Sequence, residues 1–182
     1  MTLATFSILL GIVSAAANGY VFLNPGIAQK LAPRFPRNLP LGYVLMGLAT
    51  VWFLYNLNLE QTDDFLALKK PMMIGFGAVG IMTCIYVTDF LPVRGLAIIL
   101  MLLAKYVLDL SRWADTQWRL MFSVWAYVMI LAGTWWTISP WRLRDLINWA
   151  VADLQRLKLF AGIKAGFGLL LIILGLTVFR GA

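Results

Sequence analysis

Six long apolar stretches alternate with short polar segments along this chain of 182 residues. A membrane-spanning helix needs about 20 predominantly apolar residues, and each stretch has roughly that length. The pattern therefore predicts an all-α integral membrane protein, a bundle of about six transmembrane helices in a single polytopic domain over residues 1–182. The predicted spans are residues 3–23, 41–57, 71–88, 95–113, 118–138 and 159–179.

The segment between the fifth and sixth predicted spans has a different pattern. Its apolar residues fall on one helical stripe, and its charged residues lie away from that stripe, which is typical of a helix lying flat on a membrane surface. We therefore predict an interfacial amphipathic helix over residues 140–158. The basic residues expected to contact lipid headgroups, here and in the linker after the first span, are Arg34, Arg37, Arg142, Arg144, Arg156 and Lys158.

Lysine and arginine placement predicts the orientation, because cytoplasmic loops carry an excess of these residues. If the N-terminus is outside, the inner loops hold eight of them and the outer loops hold five. The count favours both termini on the non-cytoplasmic side and both basic linkers on the inner side. The outer five are Lys69, Lys70, Arg112, Arg119 and Arg180, and the inner eight are Lys30, Arg94 and the six headgroup candidates.

Composition narrows the possible functions. The net charge of +7 would suggest nucleic acid in a soluble protein, but with 62% hydrophobic residues it fits basic loops against anionic lipid, so no nucleic-acid partner is expected. The chain has no histidine, which removes the commonest metal ligand and general base. We predict no catalytic activity and no metal or other cofactor. Bound lipid is expected, and a pigment held by other ligands stays open.

Small residues recur at helical spacing in three of the predicted spans. Residues 75–80 match the pattern G-x-G-x-x-G, but a dinucleotide site needs a preceding strand and a following helix in water. Inside a membrane helix, small residues instead let a second helix approach closely. The predicted helix-packing residues are Gly11, Ala15, Gly19, Gly77, Gly80, Gly162 and Gly166.

The most prominent polar feature is a pair of opposite charges, Lys105 and Asp109, one helical turn apart in the fourth predicted span. Ionisable residues inside a span are functional candidates by default. Two interpretations stay open: the pair lines an ion or proton path or binds an anionic headgroup, or the two charges neutralise each other while Lys105 extends toward the interface. Lys164, five residues into the last predicted span, is interpreted as reaching its own interface in the same way.

The sequence favours a non-enzymatic function. We predict an accessory or scaffolding subunit of a larger membrane complex, which packs against partner helices and lipid. Polar groups are scarce in the spans, whereas small residues, interfacial aromatic residues and basic residues are plentiful. The alternative is a small transporter or channel that uses Lys105 and Asp109. A polar path should involve more than one polar helix face, and only the fourth span offers one.

Overall fold

The computed structural model describes residues 2–60, 63–112, 114 and 116–179, without the side chains of residues 63–67. It confirms the all-α prediction: 89% of the chain is helical, the described residues contain no strand, and six helices are long and apolar enough to cross a membrane. The helices are α1 (Leu3–Leu23), α2 (Pro25–Leu31), α3 (Leu39–Leu59), α4 (Asp63–Tyr86), α5 (Leu91–Ser111), α6 (Arg119–Ile138), α7 (Trp141–Val151) and α8 (Leu154–Thr177), with a 3-10 helix at Ala32–Arg37.

Local capping explains where several helices begin and end. The Thr2 side chain accepts a hydrogen bond from the Thr5 amide at the start of α1, and the Asn38 side chain accepts one from the Leu41 amide at the start of α3. Each cap satisfies an amide that has no partner within the helix. Asn24, followed by a proline, ends α1, so the first helix has the predicted bounds.

The last two helices differ from the prediction. The amphipathic helix ends at Val151 rather than near residue 158, and α8 begins at Leu154 rather than at residue 159. The Asp153 side chain accepts a hydrogen bond from the Gln155 amide and so caps a new helix. The apolar spacing continues across this break, which is why the sequence pattern alone does not reveal it.

The middle helices also have shifted bounds. The predicted span 71–88 corresponds to α4, which begins at Asp63, ends at Tyr86 and contains Pro71 within it rather than at its first turn. A proline removes one backbone donor, and membrane helices tolerate this loss where neighbouring helices, Ser or Thr side chains or local changes of helix geometry satisfy the freed carbonyl. The predicted span 95–113 begins earlier, at Leu91, and ends at Ser111. Its predicted last residue, Trp113, lies outside the described residues.

The chain divides into two compact units. Unit 1 comprises Met1–Pro33, Lys105–Tyr127 and Arg144–Ala182, and unit 2 comprises Arg34–Ala104 and Val128–Leu143. The chain passes from one unit to the other four times, within the 3-10 helix, α5, α6 and α7. Each unit has its own internal packing, and the single polytopic domain stays a prediction.

Unit 1 is built on the antiparallel pair α1 and α8. Gly11 of α1 faces Gly168 of α8, and nearer the end of α8, Gly175 contacts the segment around Ile8. The buried Ser7 hydroxyl donates a hydrogen bond of 2.7 Å to the Leu171 carbonyl. The first residues of α1 and the last of α8 therefore lie at the same end of unit 1, where Phe6, Phe122 and Phe179 form a chain of ring contacts.

The opposite end of unit 1 carries the two short helices. Because α2 follows α1 and α7 precedes α8, the antiparallel pair brings both short helices to one end. The Gln29 side-chain amide of α2 donates a 2.8 Å hydrogen bond to the carbonyl of Val151, the last residue of α7. This bond satisfies a helix-end carbonyl that has no partner within α7. The structure thus places α2, with Lys30, and the end of α7 at the same end of this unit.

Unit 2 is held together by close helix contacts at small residues. Gly80 of α4 faces Thr50 of α3, and the rings of Phe53 and Phe76 meet edge to face with centroids 4.9 Å apart. Where α5 begins, Gly95 packs against the backbone of α3 at Leu45. The remaining close glycine contacts of this unit are Gly42 with Leu91 and Pro92, and Gly133 with Ala97 and Met101.

Candidate functional site

The predicted charge pair forms on one face of α5. Lys105 Nζ lies 2.9 Å from Asp109 Oδ2, and the two side chains are 48% and 53% exposed. This i,i+4 spacing, with the lysine nearer the start of the helix, places the two side chains on one face. The two side chains bond to each other and lie on an exposed face of α5.

The pair also lies nearer a helix end than the sequence suggested. Since α5 ends at Ser111, Lys105 is six residues, or about 9 Å, from the end, and Asp109 is only two residues from it. The neighbouring Tyr106 ring contacts Phe6, near the start of α1, with centroids 5.6 Å apart. Lys105 and Asp109 therefore lie toward the end of unit 1 where α1 begins and α8 ends.

Lys164 lies much deeper than the sequence suggested. Because α8 begins at Leu154, Lys164 is ten residues, about 15 Å, from its start and thirteen from its end. Its backbone carbonyl accepts a 3.2 Å hydrogen bond from the Ser14 hydroxyl. Ser14 is eleven residues beyond the first residue of α1 and nine before the last. Lys164 thus lies level with the middle of both helices.

A groove of about 230 Å³ opens beside Lys164 in unit 1. It lies between α1 and α8 and is bordered by one tryptophan of α6, whose ring lies 6.5 Å from the Phe167 ring, centroid to centroid. We call this cavity the Lys164 groove. Its lining residues are Leu10, Ser14, Trp125, Lys164, Phe167 and Leu171.

The Lys164 groove is polar at one end and apolar at the other. Lys164 and Ser14 lie together at its polar end. Phe167 and Leu171 follow one and two turns along α8, opposite Leu10 on α1. Among the described residues, the ion pairs are those of Lys105, Arg144 and Arg156 with neighbouring aspartates, and none involves Lys164. The groove therefore has an exposed lysine without a described ion pair at one end and apolar side chains at the other.

The predicted helix-packing residues have three different environments. Gly11, Ala15 and Gly80 lie at close helix contacts, and Gly77 and Gly162 have only ordinary van der Waals neighbours, Leu54 and Phe22. Gly19 and Gly166 have nothing within 4 Å of where a side chain would begin. The close partner of Gly11 on α8 is Gly168, which the G-x-x-x-G spacing does not include.

The predicted headgroup residues are mostly exposed, and two of them have nearby acids. Arg144, which is half-buried, donates to Asp145 at 2.8 Å, and Arg156 lies 3.6 Å from Asp153 with its guanidinium 5.2 Å from the centre of a Trp149 ring. These neighbours reduce the positive charge of α7 and the start of α8. The exposed candidates without a described ion pair are Arg34, Arg37, Arg142 and Lys158.

No group of three or more His, Cys, Asp or Glu residues that could hold a metal ion occurs in the described part of the chain. Cys84, on α4, is half-buried and forms no disulfide. The site that sequence reasoning missed is the Lys164 groove, because its α1, α6 and α8 residues are distant in sequence. Comparison with protein-family models, curated proteins and solved structures found no match to this chain.

Proposed function

We propose that this chain is a membrane-embedded accessory or scaffolding subunit, with both termini on the non-cytoplasmic side, that packs against the helices of partner proteins. The observation that carries the proposal is a set of exposed glycines in the middle of long apolar helices. Gly47, Gly75 and Gly166 have no neighbour within 4 Å of the point where a side chain would begin. All three are exposed.

These open glycines contrast with the glycines that already make helix contacts. At Gly80 a side chain would collide with Thr50, and at Gly168 it would collide with the backbone of α1. These two glycines therefore allow close packing between helices of this chain. A glycine in a helix interior weakens the helix relative to alanine. In a membrane, small residues favour close approach of a second helix. The open glycines would likewise allow close packing, but against the helices of partner proteins.

The clearest such surface is one face of α8. Ile163, Leu170 and Ile173 are exposed and lie three residues before, four after and seven after Gly166, on the same helix face. The face is apolar with a shallow depression at its centre, a shape suited to close helix packing. We call it the Gly166 face.

The transport alternative has less support from the geometry. A path for ions needs polar groups that line it at several depths. Lys105 and Asp109 bond to each other near one end of α5 and are half exposed on its outer side. A closed, outward-facing pair fits local neutralisation better than a conducting path.

The proposal is tested by isolating the full-length protein from its native membrane in a mild detergent or a polymer nanodisc. We expect partner polypeptides to co-purify in fixed stoichiometry. Replacing Gly166 with leucine should release them, because the side chain fills the depression, while the variant itself stays monodisperse. Gly26→Leu is the matched control, since Gly26 is also open but lies on the short helix α2.

Two results would contradict the subunit proposal. One is a native particle that contains only this chain and lipid. The other is ion or solute flux in proteoliposomes of the purified protein that disappears in Lys105→Leu, which would support the transport alternative instead. Release of partners by Gly26→Leu and Gly166→Leu alike would move the interface away from the Gly166 face.

A further inference from the structure

The Lys164 groove changes from polar to apolar along its length, as the site of an amphiphilic ligand does. Its polar end is formed by Lys164 and Ser14, and the Ser14 hydroxyl donates a hydrogen bond to the Lys164 backbone carbonyl. From there it continues past Phe167 to Leu171, seven residues or about 10 Å along α8, with Leu10 on the facing helix. Binding sites of this kind are concave and mainly apolar, with few polar groups that fix orientation.

The position of Lys164 calls for a negative charge. It lies level with the middle of α1 and α8, about 14 Å or more from every end of the two helices. Charged side chains at such a depth in a bilayer are costly unless they pair. The described residues supply no carboxylate to Lys164. A ligand that brings its own anionic group would therefore be bound by a charge-assisted hydrogen bond, the stronger class of such bonds.

The surroundings favour a single-chain lipid over the other anionic candidates. A partner helix carrying an acidic residue needs small residues where the backbones approach, whereas Trp125 and Phe167 border this groove. A phospholipid headgroup belongs to the interfacial region, away from the middle of the helices. A fatty acid has one compact carboxylate and one flexible chain, and in its neutral acid form it enters the apolar region readily.

We propose that the Lys164 groove binds a long-chain fatty acid, with the carboxylate at Lys164 and the acyl chain directed past Phe167 toward Leu171. The first methylenes of the chain occupy the cavity of about 230 Å³, and the rest of the chain leaves through its open side. This site does not depend on the proposed subunit role, because it lies within unit 1 of a single chain.

The test is carbon-13 NMR of carboxyl-labelled palmitate, added to the purified full-length protein in nanodiscs of neutral phosphatidylcholine. We expect one saturable carboxyl resonance per protein, distinct from palmitate in empty nanodiscs. Lys164→Gln should weaken this binding by about tenfold or more, since it removes the charge from the hydrogen bond. Lys164→Arg should retain most of it.

The matched control is Lys158→Gln, which removes an exposed lysine from the same helix outside the groove. It should bind palmitate as the wild type does. Hexadecanol, which has the same chain without the carboxylate, should compete poorly. Each variant is first checked by its elution volume and thermal midpoint, and Lys164→Arg keeps the test valid if Lys164→Gln unfolds.

A palmitate affinity that is the same in wild type, Lys164→Gln and Lys164→Arg would overturn the proposal. Equal competition by hexadecanol would do so too, because it would show that only the apolar channel matters. Displacement of palmitate by a transmembrane peptide with one central glutamate, at lower concentration than palmitate itself requires, would reassign the groove to a protein partner and also overturn the proposal. None of these results depends on whether partner subunits co-purify.

Discussion

Gly11 and Gly168 exclude side chains from each other's positions: a methyl group on Gly11 would lie 2.6 Å from the Gly168 carbonyl oxygen, and one on Gly168 would lie 2.8 Å from the Gly11 carbonyl oxygen. Contacts this short involve backbone atoms, which cannot rotate away as a side chain does. The crossing of α1 and α8 therefore depends on the two glycines together.

Gly168→Ala should destabilise unit 1 by about 1–3 kcal/mol, the usual cost of adding a methyl group to a well-packed contact. The measurement is the midpoint of unfolding in mixed micelles of mild detergent and dodecyl sulfate. Gly166→Ala is the control, two residues away on the same helix with open space around it, and its stability should be unchanged or slightly higher because alanine favours the helix. Equal losses in both variants would show that the close crossing is unimportant.

Asp153→Ala should loosen the start of α8 by about 1 kcal/mol, because the aspartate caps the helix through the Gln155 amide at 2.9 Å. Hydrogen exchange should speed up at the amides of the first turn of α8 and stay unchanged in its middle. Asp145→Ala removes an aspartate from α7 that does not cap a helix start and serves as the comparison. Faster exchange only in the Asp145 variant would mean that α7 and α8 are not separated at Asp153.

Replacing Lys105 and Asp109 together with leucine should leave a folded, monodisperse protein, because exposed i,i+4 pairs contribute about 0.5 kcal/mol or less. Asp109→Leu alone should be less stable than the double variant, since it leaves Lys105 without its described partner. Thermal midpoints in detergent would rank the three proteins. A double variant less stable than Asp109→Leu would show that the charges do more than neutralise each other.

The charge distribution predicts that a reporter fused after Ala182 is non-cytoplasmic and one inserted near Arg37 is cytoplasmic. A reporter near Glu60, between α3 and α4, should match the C-terminal one. The antiparallel α1 and α8 add that the N-terminal and C-terminal reporters should agree. Cytoplasmic signals from both Arg37 and Ala182 would be incompatible with six spans.

The sequence predicts the helical architecture well where strong local signals exist. α1 has the predicted bounds, because its apolar run is closed by Asn24 and Pro25. The junction between α7 and α8 is missed, because Leu154 and Leu157 continue the apolar spacing of α7 past the cap at Asp153. The start of α4 is also predicted wrongly, because Pro71 favours a first helical turn but lies inside the helix in the structure.

The candidate site depends on contacts that no local pattern contains. Starting α8 five residues earlier than predicted moves Lys164 from near a helix end to its middle. Its level relative to α1 follows from the hydrogen bond with Ser14, which joins residues 150 positions apart. Lys105 and Asp109 are easily paired from sequence because they are neighbours on one helix, which is also why sequence reasoning gave them more weight than Lys164.

The pairing of α1 with α8 has a consequence for the order in which the chain is made. The α8 residues that contact α1 are synthesised some 150 positions later, which takes roughly 8 to 30 s at about 5–20 residues per second. Unit 2 is complete by Leu143, before any of α8 exists. Throughout that interval Gly11 and the Ser7 hydroxyl lack their α8 partners, Gly168 and the Leu171 carbonyl. The close pairing of α1 with α8 therefore forms only after the residues of unit 2 have been synthesised, so we expect it to be a late step in folding.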